Sequence, residues 1–186
     1  NDYENGVTAT PPIDEIKFVD LGLPSKTLWA DRNIGAKRPI ETGSYFAPNQ
    51  KQELDVPCEK CHGTGMVENL VCNYCKGTGI HTTLTVPSQE DYEELISCCK
   101  WTWIEKDGVN GYEVIGPSEK SIFLPEAVIK CNDNERRNEI YKERHWSGYW
   151  TDSYRHSLEF APNHVSRVDI AIPKTERVIR CIQNGR

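Results

Sequence analysis

Long apolar runs are missing from this chain of 186 residues. No stretch approaches the ~20 consecutive apolar residues that a membrane-spanning helix needs, and no basic-plus-apolar leader opens it. Direct membrane insertion of this segment is therefore excluded, and solution behaviour is expected. Excess positive charge is missing too: 22 Lys and Arg stand against 28 Asp and Glu, for a net charge of -6. That balance removes the electrostatic basis for general binding to nucleic acid or anionic lipid. The chain opens at Asn1, not Met, which leaves room for an upstream segment. No serine, histidine and acid grouping can be argued from the linear order, and Ser88 is better explained as a helix cap.

Cysteine is what the chain has in quantity, eight in all. Four sit in two CxxC pairs, Cys58 with Cys61 and Cys72 with Cys75, inside the repeated strings CEKCHGTG and CNYCKGTG. Zinc takes four ligands in a tetrahedron, about 2.3 Å from each sulfur, and a CxxC turn delivers two thiolates with little strain. Two such turns close the shell. The expectation is one structural zinc per chain, with glycines at 63, 65, 77 and 79 permitting tight turns around it. A redox dithiol would place a single CxxC at a helix start beside a strand, which the duplicated, glycine-followed pairs do not resemble. A catalytic zinc would keep a position open for water. His62 and His81 are the other donors at hand, unneeded when four cysteines suffice. A nucleic-acid knuckle would need basic residues, yet Lys60 and Lys76 are cancelled by Glu59 and Glu68. Cys98, Cys99, Cys131 and Cys181 lack any metal spacing.

Composition divides the chain into a polar tail or linker at 1–15, a host domain formed by 16–57 and 81–186, and a zinc hairpin insert at 58–80. Ser88 with Asp91 three residues on makes a capping box, and Tyr92, Leu95, Ile96 and Cys99 recur at helical spacing, so a helix is expected over 88–99. Residues 100–125 alternate aromatic and β-branched residues with Asp107-Gly108, Asn110-Gly111 and Gly116-Pro117 turn signals, which predicts antiparallel hairpins. The charge-mixed segment from Cys131 to His145 reads as a solvated loop with at most a helical turn. GYWTDSY, SLEFA, VSRVDIAI and ERVIRCI read as closing strands.

Residues 58–79 resemble the cysteine-rich zinc modules of DnaJ-type chaperones, whose repeat is CxxCxGxG. Those chaperones use four repeats and a J-domain; here there are two repeats and no HPD tripeptide, so chaperone activity does not carry over. The rest of the chain resembles the Fibrobacter succinogenes major paralogous domain, through FVDLGLPSKTLWADRNIGA at 18–36, GSYFA at 43–47, VPSQEDYEELI at 86–96, KWTWIEKDGVNGYEVIGPSEKSIFLP at 100–125 and GYWTDS at 148–153. That resemblance implies an α+β, C-type-lectin-like fold of small antiparallel sheets and one or two helices, in a family often exported and sometimes lipidated as lipoproteins. It also implies a disulfide or close approach between Cys98 or Cys99 and Cys181. Within the shared strings, Trp29, Trp101, Trp103 and Trp150 are expected to fill the core.

The resulting functional expectation is a non-enzymatic module of a bacterial cell envelope, periplasmic or surface-anchored, that binds a protein or glycan. The alternative is an intracellular, cytoplasmic protein whose zinc hairpin mediates assembly, since tetrathiolate zinc suits a reducing compartment. An enzyme of the formylglycine-generating type is a distant third. Met66, Val67, Leu70, Val71 and Tyr74 would form the apolar side of the hairpin, and self-association through it is part of the expectation.

Overall fold

The computed structural model describes residues 16–48, 55–58, 60–165 and 168–184. The expected tail at 1–15 and most of the lead-in at 49–54 lie outside the described residues. In chain order the elements are β1 (Phe18–Val19), β2 (Leu28–Asn33), β3 (Asp55–Pro57), β4 (Met66–Val67), β5 (Leu70–Val71) and β6 (Ile80–Thr83). There follow α1 (Gln89–Cys98), β7 (Lys100–Lys106), β8 (Val109–Ile115), β9 (Ser121–Pro125), β10 (Lys130–Cys131) and α2 (Glu135–Arg144). The chain closes with β11 (Ser147–Trp150), β12 (His156–Ala161), β13 (His164–Val165), β14 (Asp169–Ile170), β15 (Thr175–Glu176) and β16 (Arg180–Gln183). These strands pair antiparallel into small sheets, β1-β2-β16, β7-β8-β9 and β11-β12-β13 with β14 beside β12, plus the pairs β10-β15, β3-β6 and β4-β5. The class is α+β.

Local chemistry explains most of these elements. Ser88 accepts from the Asp91 N–H, and the Asp91 carboxylate accepts from the Ser88 N–H at 2.8 Å, so α1 starts where the capping box places it. Tyr92 and Leu95 are its buried residues. Asp107 and Gly108 both take positive φ, 49° and 81°, the two-residue turn whose twist matches its flanking strands, and they close the β7-β8 hairpin. Asn110-Gly111, expected as a turn, instead lies inside β8. Its glycine serves close approach: a Cβ there would stand 2.4 Å from the Leu124 carbonyl oxygen and 2.7 Å from the Phe123 ring.

The segment expected as a solvated loop is a helix. Asn134 caps it by accepting from the Arg137 N–H at 3.0 Å, and His145 ends it in the left-handed region, donating its N–H to the Lys142 carbonyl at 3.2 Å. Glu135 in the first turn and Lys142 and Arg144 in the last complement the helix dipole. Only Tyr141 of its ten residues is buried, so no hydrophobic period betrayed it.

The core falls into one large cluster around Trp29, Tyr92, Leu95, Tyr149 and Phe160, and a second around Phe46, Trp150, Ile179 and Cys181. Trp29 and Trp150 are fully buried, as expected. Trp101 and Trp103 are half-buried and meet Tyr112 edge-on, with ring centroids 5.5 and 5.0 Å away. Trp146 packs in a third, smaller cluster with Ile129 and Tyr141. All eight cysteines are free thiols. The implied disulfide is not formed: Cys98 and Cys99 pack on the first cluster, whereas Cys181 belongs to the second.

Two arginines are fully buried, which the charge pattern of ERVIRCI concealed. Arg180 makes no direct ion pair among the described residues. Its guanidinium donates to Asn33 Oδ1 at 2.7 Å, to the Ala30 carbonyl at 3.0 Å and to the Phe123 carbonyl at 2.7 Å, tying β16 and β2 to β9. Arg177 pairs with Glu159 at 2.9 Å, donates to Thr175 Oγ1 and lies 4.8 Å above the Trp150 ring. Replacing Arg180 with Met is expected to lower stability by about 3 kcal/mol or more, because three buried acceptors lose their donor at about 1–3 kcal/mol each. Urea denaturation checks this, and a loss under about 1 kcal/mol would refute the tie.

Candidate metal centre

The two CxxCxGTG strings fold into the same turn twice, offset by fourteen residues. In the first, the Gly63 N–H donates to the Cys58 carbonyl at 3.0 Å and the Thr64 N–H to the Cys61 carbonyl at 3.0 Å; in the second, Gly77 donates to Cys72 and Thr78 to Cys75, both at 3.1 Å. Thr64 and Thr78 hydroxyls each donate at 2.7 Å to the carbonyl of the second cysteine in their string. The strings then interlock. Cys58 donates its N–H to the Gly79 carbonyl, and Cys72 to the Gly65 carbonyl, each at 2.8 Å. The result is a local pseudo-two-fold.

Gly65 and Gly79 sit where this interlock leaves no room for a side chain. Both have positive φ, 78° and 73°, and a Cβ on either would lie 2.4 Å from a carbonyl oxygen, that of Gly77 or Gly63. The same two residues carry a second function. Their N–H groups point at sulfur, Gly65 to Cys61 Sγ at 3.2 Å and Gly79 to Cys75 Sγ at 3.3 Å. Positive φ and close chain approach, the roles expected of these glycines from the sequence, leave out this contact with sulfur. The GTG tail of each repeat was the available signal for the sulfur contact.

All four sulfurs lie within 4.8 Å of one another, and all four cysteines are buried. Cys58 and Cys72 sulfurs are 3.9 Å apart and Cys61 and Cys75 sulfurs 3.7 Å. A disulfide requires about 2.05 Å. A tetrahedron with about 2.3 Å metal–sulfur bonds has edges of about 3.8 Å, so these separations fit four ligands around one ion. The four residues expected to ligate are thus brought together, and among the described residues they form the one such cluster of potential ligands. An all-sulfur set suits a soft or borderline ion and disfavours magnesium or calcium. His62 is exposed and outside the cluster. The His81 side chain and Glu59 lie outside what is described.

Electrostatics within the cluster are uneven. Burial pushes the Cys58 thiol up to about 11. Burial pushes Cys75 up too, but the Gly79 N–H and the hydrogen bonds from Cys61, Cys72 and Cys58 outweigh it and bring Cys75 down to about 6. A thiolate therefore forms readily at Cys75, while Cys58 holds its proton. Only a cation can draw four thiolates together, and binding it expels the remaining protons.

Strand pairing presents this site at both ends. On one side β3 pairs with β6, Asp55 opposite Thr83 and Pro57 opposite Ile80, so the two chain ends of the hairpin leave side by side. On the other, Met66 pairs with Val71 and Val67 with Leu70 across a turn in which Glu68 and Asn69 have φ of 48° and 65°.

No family model matches the chain, and no solved structure matches it. Among curated proteins it is similar to the phenylalanine–tRNA ligase alpha subunit of Lawsonia intracellularis, 30% identical over 86 residues, covering 41% of this chain and 25% of that protein. The chain spans about a quarter of the length of that relative, and the match assigns no family.

Gly65→Ala, which removes no ligand, is expected to weaken metal binding by about tenfold or more through the clash and the displaced N–H, within the usual range for groups that orient ligands. Affinity is also expected to fall as pH falls, since protons return to the thiolates. Competition against a chromogenic chelator across pH measures both; unchanged affinity in the variant would refute the role given to Gly65.

Proposed function

We propose that this chain is a non-enzymatic binding module in which a lectin-like host domain of the Fibrobacter succinogenes major paralogous type carries a structural zinc hairpin as a rigid arm for a protein partner. One observation carries the reading. The hairpin residues Met66, Val67, Leu70, Val71 and Tyr74 are 41–72% exposed, and the other large apolar residues so exposed among those described are Ile140 and Ile170. Apolar surface concentrated on so few residues is the mark of a contact surface. The ends of the hairpin meet in the β3-β6 ladder, the arrangement in which an insertion is tolerated and can project. A protein suits this face better than a glycan or nucleic acid. Its side chains are mainly aliphatic, and the fully buried Trp29 and Trp150 offer no ring to a sugar.

The resemblance supports a cell-envelope location for the module. Its intracellular alternative, a zinc-hairpin assembly protein, is favoured by one feature, that none of the eight cysteines is in a disulfide. The enzyme reading is weakest. Burial, with Cys98 and Glu94 adding to it, pushes the Cys99 thiol up to about 11, the reverse of an activated nucleophile.

A photo-crosslinking residue placed at Leu70, in cells producing the full-length gene product, is expected to trap a discrete protein adduct. The same residue placed at exposed Lys120 should not. A partner or a second copy of this chain in the Leu70 adduct supports the reading; no adduct, or the same adduct from both positions, contradicts it.

A further inference from the structure

Away from the hairpin, a cleft of about 450 Å3 opens between the 150–155 segment and the 170–174 segment. Its walls are Tyr154, Ile172 and Pro173, Ile170 stands 73% exposed at its mouth, and the two cations Arg155 and Lys174 line it. No carboxylate lines it. The size lies within the range of small-molecule sites, roughly 300–1,000 Å3.

The two walls are stitched together by backbone. Ser157 pairs with Asp169 and His156 with Ile170, and the Ala171 N–H donates to the Arg155 carbonyl at 2.8 Å. The Arg155 main chain is also held from its own side, its N–H donating to Ser153 Oγ at 3.2 Å. Among the described residues no hydrogen bond or ion pair uses its guanidinium. Lys174 has only a long pairing with Asp133, 3.6 Å, between exposed groups. Arg177, on the Trp150 ring, has its charge paired with Glu159 and so leaves Arg155 and Lys174 as the cations of the cleft. Two cations and no carboxylate thus line an apolar hollow in a chain whose net charge is -6.

We propose that this cleft binds a small organic anion, a carboxylate attached to an apolar ring, with the ring against Tyr154, Ile170 and Ile172 and the carboxylate on Arg155 and Lys174. Arginine is the suited partner, since its planar fork meets a carboxylate through two parallel hydrogen bonds. The site is independent of the hairpin and of the partner reading above.

The test is amide chemical-shift titration of the full chain with 3-phenylpropionate, with 3-phenylpropanol and acetate as matched probes lacking the charge or the ring. Saturable shifts confined to 150–155 and 169–174 are expected with 3-phenylpropionate. The alcohol and acetate should each bind at least about tenfold more weakly, the loss expected when a charge-assisted pair or an apolar contact is removed. Arg155→Gln, at an exposed position, should leave the remaining spectrum unchanged and weaken 3-phenylpropionate by about the same factor. Equal binding of the alcohol, undiminished binding by the variant, or no shifts in the millimolar range would each overturn the proposal.

Discussion

The hairpin between Cys58 and Ile80 has four sulfurs for an interior and no buried apolar side chain besides. So few residues cannot enclose a hydrophobic core, and this one does not try: its large apolar side chains point outward. Something other than burial must hold the turns. Structural zinc contributes roughly 10 to 16 kcal/mol in comparable small peptides. That is of the same order as burying all five exposed apolar residues at about 1.5–3 kcal/mol each. A metal held in the thiolate cage would stand in for the core and leave the apolar residues available for contacts. Interlocked repeats, glycine carbonyls received at 2.8 Å and N–H groups aimed at sulfur all follow from bringing four ligands to one point.

The host domain solves a different problem by a different means. Strands from its two ends must meet, and β2 and β16 do so under Arg180, whose bond to Asn33 spans 147 residues of sequence. A buried guanidinium costs a great deal unless its donors are satisfied, and here two carbonyls and an amide oxygen receive it. Burial lowers the affinity of Arg180 for its proton, and the nearby charges, Asp31 among them, offset this only in part. Arg177 takes the other course, paired with Glu159 and stacked on Trp150. Both arginines give direction to a core that aliphatic packing alone would leave less specific.

What was legible in the sequence follows from where the signal lay. The metal ligands and α1 were visible because their physics is local: two cysteines on one turn, a serine and an aspartate three residues apart. The second helix was not, because its signals are an Asn134 cap and terminal charges, with Tyr141 alone turned inward. Asn110-Gly111 read as a turn because that dipeptide favours one, yet Gly111 answers to the close passage of β9. The buried arginines were hidden because acceptors contributed by Ala30, Asn33 and Phe123 come from strands remote in sequence. The disulfide implied for Cys98 or Cys99 with Cys181 does not form; Cys181 packs in the second cluster, while Cys98 and Cys99 pack against the first.

The central claim is that metal, and not packing, holds the hairpin while the host domain stands without it. Amide-resolved NMR before and after stripping metal with a strong chelator under reducing conditions tests it most directly. The account predicts that resonances of residues 60–79 collapse to unfolded positions and return on adding zinc, while those of β7 to β9 and β11 to β12 stay in place. Hairpin resonances unmoved by the chelator, or loss of the entire folded spectrum with them, would contradict it.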